Sequence, residues 1–74
     1  MKNNAHINIT LADLLEVLDA RKTVNIFINE KKSVKFGLVY EVLTDKDFIN
    51  AYGKKSVIGI SGIIGYTNIL IKEA

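Results

Sequence analysis

The chain contains no cysteine, no proline and no tryptophan, and its one histidine is His6. Without cysteine there is neither a disulfide framework nor a thiolate metal site. A lone histidine completes no zinc ligand set of familiar spacing, so no metal or other cofactor is expected. An excess of one charge is missing too: ten Lys and Arg stand against eight Asp and Glu, a net +2. Long apolar runs are equally scarce. The most membrane-like stretch, Ser56 to Ile71 between Lys55 and Lys72, has 16 residues and includes Gly59, Gly62, Gly65 and Asn68. A spanning helix needs ~20 residues, and glycine with β-branched neighbours favours strands, so no membrane segment is expected. Met1 to His6 carries one positive charge with no apolar run behind it. That is not a secretory signal, and a reducing cytoplasmic setting is the default.

What is present is aliphatic. Ile, Leu and Val make up 24 of 74 residues, which is not the composition of a disordered chain. A packed core is expected, in one domain spanning residues 1–74. Chains this small are marginal unless something besides their own core stabilises them, and without disulfides or metal the remaining source is self-association. A homo-oligomer is therefore the expectation.

Capping chemistry marks two helix starts. Thr10 is placed as an N-cap with Asp13 three residues on, and Ile9 can staple against Leu14. The helix that follows is read as Leu11 to Ala20, with Leu11, Leu14, Leu15 and Leu18 on one face. Thr44 repeats the pattern with Asp47 and a Leu43–Phe48 staple, opening a helix from Asp45 to Tyr52 that stops at Gly53. Its short apolar face, Phe48, Ile49 and Tyr52, needs a larger element to pack against.

That element is a sheet. Val24, Ile26 and Ile28 alternate with Asn25, Phe27 and Asn29, and Asn29 to Lys32 reads as a turn. A second strand starts at Ser33 and is favoured to end near Val39; in the alternatives it continues to Val42, or Gly37 bends it and Leu38 to Leu43 form a helical turn. A second hairpin, Lys55 to Ser61 and Asn68 to Lys72, turns among Gly62 to Thr67, and Ile7 to Ile9 alternates like a short first strand. The result is an α+β fold of order (β)αββαββ, a small antiparallel four-stranded sheet with two short helices. With Ile7 to Ile9 as a strand it contains the ferredoxin-like βαββαβ order plus one further strand.

The strings Leu14-Leu15-Glu16-Val17-Leu18, Thr23-Val24-Asn25-Ile26, Gly37-Leu38-Val39-Tyr40-Glu41-Val42-Leu43 and Phe48-Ile49-Asn50-Ala51-Tyr52-Gly53 together resemble small uncharacterised phage and prophage proteins of Gram-positive bacteria. The chain departs from that pattern at Gly59 to Gly65, where acidic turn residues are more usual. The resemblance implies a phage accessory protein in the cytoplasm of a bacterial host and assigns no active site.

Nor do the residues point to catalysis. The available acids are Asp13, Glu16 and Asp19 on one helix and Asp45 and Asp47 at the start of the other, where capping and solvation account for them. Gly59-Ile60-Ser61-Gly62 has glycines at the spacing of a KH-domain loop, but Ile and Ser replace the basic pair and no helix flanks it. Lys35-Phe36-Gly37-Leu38-Val39 meets part of the RNP1 pattern of RNA-binding domains. The basic set Arg21, Lys22, Lys31, Lys32 and Lys35 could supply phosphate contacts, or keep a hairpin edge soluble. Phe36 and Tyr40, on one alternation of a continuous strand, are expected to be buried, which argues against a stacking platform. Phe27 points away from the Val24, Ile26, Ile28 face, and two short helices cannot cover both sides of the sheet. The expectation is a non-enzymatic interaction module that binds itself and a host protein, with Phe27, Lys31, Lys32 and Lys35 as its candidate surface. RNA or single-stranded DNA binding through the basic hairpin is the alternative.

Overall fold

A computed structural model describes residues 9–29, 32–63 and 65–73. Lys31, His6 and the start of the Ile7–Ile9 segment lie outside them. The elements are α1 (Leu11–Val17), β1 (Thr23–Asn29), β2 (Lys32–Leu38), α2 (Val39–Thr44), α3 (Lys46–Tyr52), β3 (Val57–Ile63) and β4 (Tyr66–Ile71). The class is α+β, and the four strands form one sheet in the order β2-β1-β4-β3.

Two antiparallel hairpins, β1–β2 and β3–β4, lie side by side and join through a parallel β1–β4 pair at the centre. The sheet is therefore mixed rather than wholly antiparallel. β2 and β3 are the two edges and run in the same direction, so the chain must travel back the length of the sheet between them. The helices α2 and α3 make that return. The central parallel pair also sets the sheet apart from the antiparallel sheet of a ferredoxin-like fold.

All three helices contribute to one core. Leu11, Leu14 and Leu15 of α1, Val39 and Val42 of α2 and Phe48 of α3 pack with Val24 and Ile26 of β1 and Ile69 and Ile71 of β4. Those strand residues alternate along their strands, so the helices cover one face of the sheet only. Among the described residues no helix is long and apolar enough to cross a membrane.

Local chemistry explains where the helices start and stop. Thr10 Oγ1 accepts from the Asp13 N–H at 3.2 Å, as the cap reading requires. The next free N–H groups of α1 donate to the Lys55 and Gly53 carbonyls, from Leu11 and Ala12 respectively, both at 2.9 Å. α1 ends at Val17 instead of Ala20 because Leu18 is already extended and Asp19 folds a competing turn. Asp19 Oδ1 accepts from the Arg21 N–H and its carbonyl accepts from the Lys22 N–H, both at 2.9 Å.

The segment after Gly37 is helix, with β2 ending at Leu38, one residue before the favoured strand end. Val39 and Tyr40 donate their N–H groups to the Lys22 and Ala20 carbonyls of the preceding turn, and Glu41 Oε1 reaches back to the Leu38 N–H at 3.0 Å. With the N-terminal donors satisfied from outside, helix wins over a β-prone sequence and places Val39 and Val42 in the core. The second cap moves by one residue for the same reason. Thr44 closes α2, its hydroxyl donating to the Tyr40 and Glu41 carbonyls, and Asp45 becomes the N-cap of α3, accepting from the Phe48 N–H at 3.2 Å.

The last hairpin is longer and its turn tighter than the Gly62–Thr67 reading, because Gly65 turns the chain at φ 100°, a left-handed conformation that glycine adopts without a Cβ clash. Ile9 and Thr10 do have strand character, but as a single antiparallel bridge between Thr10 and Ser56 at the start of β3.

Candidate functional site

The helix-free face of the sheet is the candidate site, and strand register decides what stands on it. Across the sheet, Phe36, Asn25, Asn68 and Ser61 form one row from β2 to β3, and Ser33, Phe27, Leu70 and Gly59 form the next. Tyr66 adds an edge-to-face contact with Phe36, ring centroids 5.7 Å apart. The first row thus carries two amides and a hydroxyl beside Phe36, the second carries Phe27 and Leu70 beside Ser33, and none of these side chains is charged.

Phe36 is 59% exposed, against the expectation that it is buried. The cause is a β-bulge. Ile26 opposes Lys35 and Phe27 opposes Ser33, leaving Val34 as the extra residue. Val34 packs against the core, and beyond it the alternation is inverted, so Lys35 faces the helices and Phe36 faces away. Tyr40 shares no strand with Phe36, since it lies on α2, where it is 49% exposed.

Gly59 presents no side chain beside Leu70, and the space left is a shallow depression of 230 Å³ lined by Phe27, Gly59, Ile60, Ser61, Asn68 and Leu70. Ligand pockets of drug-like molecules run to roughly 300–1,000 Å³ and close around their contents, so this concavity suits one inserted side chain. Asn68 is among its lining residues, and the Asn68 Oδ1 atom is buried with no hydrogen-bond partner among the described residues. A buried amide oxygen without a donor costs roughly 1–3 kcal/mol. The neighbouring Asn25 is already engaged, its Oδ1 accepting from the Ser33 hydroxyl.

Of the residues singled out in the sequence, Phe27 stands on this face and the basic ones do not gather there. Lys35 lies on the helix side, with Nζ 2.6 Å from Asp45 Oδ2 and 5.8 Å from the centre of the Phe48 ring. That hydrogen bond, with the Phe48 N–H second, holds the Asp45 carboxyl below the usual carboxylate range. Lys32 is exposed at the hairpin end of β2, while Arg21 and Lys22 sit at the opposite end of β1. The acids do not converge either: among the described residues no three His, Cys, Asp or Glu side chains come close enough to hold a metal ion. Gly59-Ile60-Ser61-Gly62 runs straight through β3 and is not a loop.

Sequence reasoning missed Phe36, Tyr66, Asn68 and Leu70. For Asn68 a signal was present, since it is the polar residue between Thr67 and Ile69, both buried. For Phe36 the bulge erased it. No protein-family model matches the chain, and comparison with curated proteins and with solved structures gives no match either.

Proposed function

We propose that this chain is a small non-enzymatic interaction module of the phage-accessory type, acting in the cytoplasm of a bacterial host, which self-associates and binds a host protein through the open face of its sheet. The observation that carries the reading is the uncharged, two-row face that carries Phe27, Phe36, Tyr66 and Leu70 and holds a depression lined in part by Phe27, Asn68 and Leu70. Aromatic and aliphatic anchors with a few hydrogen-bonding groups and no charge at the centre are the make-up of a protein–protein contact.

Nucleic-acid binding is the second reading, favoured by three aromatic rings on one sheet face, the stacking arrangement used for single strands. Against it stands the dispersal of the lysines, because phosphate contacts need clustered cations. Capture from a Gram-positive lysate, with and without nuclease, by the wild type and by Leu70→Ser tests both. The interaction module requires a nuclease-resistant, salt-tolerant protein partner that the variant loses, with amide shifts on binding confined to Asn25, Phe27, Asn68 and their neighbours. Capture that disappears with nuclease would replace it with the second reading, and capture unaffected by Leu70→Ser would refute the open face as the contact.

A further inference from the structure

The open face carries a ridge and a hollow in different places. Phe36 comes from the edge strand β2 and Tyr66 from β4, with β1 between them, yet their rings meet edge-to-face at 5.7 Å. The two rings therefore lie across β1 as a raised pair, and Phe36 stays 59% exposed. Neither ring lines the 230 Å³ depression, which sits toward β3 and β4 at Gly59, Ser61, Asn68 and Leu70. Beneath both features runs the parallel β1–β4 pair. Parallel strands are found chiefly where both faces are covered, and the helices cover one. Among the described residues no element covers the other. Ile9 and Thr10 meet β3 in the plane of the sheet, through the Val57 N–H to Ile9 carbonyl bond and the Thr10–Ser56 bridge, which places them beside this face and not over it.

We propose that the cover is the same face of a second copy, docked about a two-fold axis so that the Phe36–Tyr66 ridge of each chain enters the Gly59–Leu70 hollow of the other. Shape and charge select this occupant. Two places on one face are exchanged by a two-fold axis lying in the contact plane midway between them, so a face with both a ridge and a hollow complements itself. The hollow is the size of one side chain, and Phe36 is the exposed side chain at hand. A two-fold contact also sets each group near its own copy, where like charges repel, and the two rows bring no charge. The helix layer, in contrast, exposes Asp13, Glu16, Glu41 and Asp47. Ridge and hollow are both consumed in the pair, so assembly closes at two chains. The proposal rests on the functional reading for its choice of face and deepens it: second copy and host protein compete for one surface, so self-association regulates access to it.

Light scattering from about 1 to 200 μM on the wild type, Phe36→Ser, Ser61→Lys and Val17→Ser tests it, together with isotope-filtered NOEs on mixed labelled and unlabelled wild type. The expected results are a wild-type mass of twice 8.2 kDa, dissociation at least about tenfold easier for Phe36→Ser and Ser61→Lys, and an unchanged dimer for Val17→Ser, whose residue is 75% exposed on α1. NOEs from the Phe36 ring of one copy to Gly59 and Leu70 of the other are the direct readout, and they stand even if a variant fails to fold. A wild type that remains monomeric throughout the range would overturn the proposal. So would a dimer that Phe36→Ser and Ser61→Lys leave intact, or one whose intermolecular NOEs omit Phe36 and Leu70. The host-partner reading is decided apart from these results: a monomer that still captures a protein lost with Leu70→Ser ends the proposal and keeps that reading, and a dimer that captures nothing does the reverse.

Discussion

Thr10 and Thr44 begin the same sequence pattern, but only Thr10 is an N-cap, and replacing each by Ala separates the two roles. Thr10→Ala removes the hydroxyl that accepts from the Asp13 N–H. It leaves the backbone pairing of residues 9–11 with 55–57 in place, so the lost cap is the main change. Such a loss costs about 1 kcal/mol, and in a domain of this size that lowers the melting temperature by ~4–8 °C. The Thr44 hydroxyl donates to the Tyr40 and Glu41 carbonyls of its own helix from an exposed position. It satisfies no free N–H, and alanine is the better helix former, so Thr44→Ala should move stability by less than about 0.5 kcal/mol in either direction. Circular dichroism melts of both variants beside the wild type decide the matter. Equal losses in the two would mean that α3 is capped by Thr44 and that the helical reading of Val39 to Thr44 is wrong.

Ile26→Ala empties a fully buried site in a central strand and should cost ~2–5 kcal/mol in urea unfolding, a large part of the stability of so small a domain; a cost below about 1 kcal/mol would place the core elsewhere. Gly53→Ala should destabilise by ~1–3 kcal/mol, since a Cβ there would stand 2.6 Å from the Ile49 carbonyl oxygen; an unchanged melt would show that this turn yields easily. The Asp45 carboxyl has a folded pKa below its unfolded one, so its contribution is present above the ordinary carboxylate range and is lost as pH falls through that range to the folded pKa. The melting difference between wild type and Asp45→Asn should accordingly shrink on acidification, and Lys35→Met should raise the Asp45 titration midpoint seen by carboxyl NMR. A midpoint that does not move would remove Lys35 as the main cause.

The fold class was legible because the core residues of α1 and β1 obey clean periods. Leu11, Leu14 and Leu15 keep helical spacing, and Val24 and Ile26 keep period two, and all five are buried. What was hidden depends on contacts made across the chain. Val39 to Leu43 has strand propensity, and the Lys22 and Ala20 carbonyls that make it a helix precede it by some seventeen to twenty residues. The cap at Asp45 was hidden with it, because it depends on where α2 ends. Counting along β2 could not place Phe36, since a bulge is defined by the partner strand. Ile69-Leu70-Ile71 masked its own alternation: three apolar residues in a row look buried on both sides, yet Leu70 belongs to the open face. The basic residues were close in sequence and are distant in space, because a hairpin separates its two ends by its own length.

The parallel pairing of Val24–Phe27 with Thr67–Leu70 also governs how the molecule is made. The central ladder joins segments roughly forty residues apart, and the entropy of closing that span must be met before the pair returns any stabilisation. Local helices and the two hairpins can flicker early, but the side chains that hold Val24 and Ile26 out of water include Ile69 and Ile71, from the last strand. Folding should therefore be slow for 74 residues, nearer the millisecond-to-second range of sheets built on distant pairings than the microseconds of helical bundles. A chain cut before Tyr66 should have no cooperative melt at all, and a ribosome must release β4 before the strands and helices ahead of it become resistant to proteases.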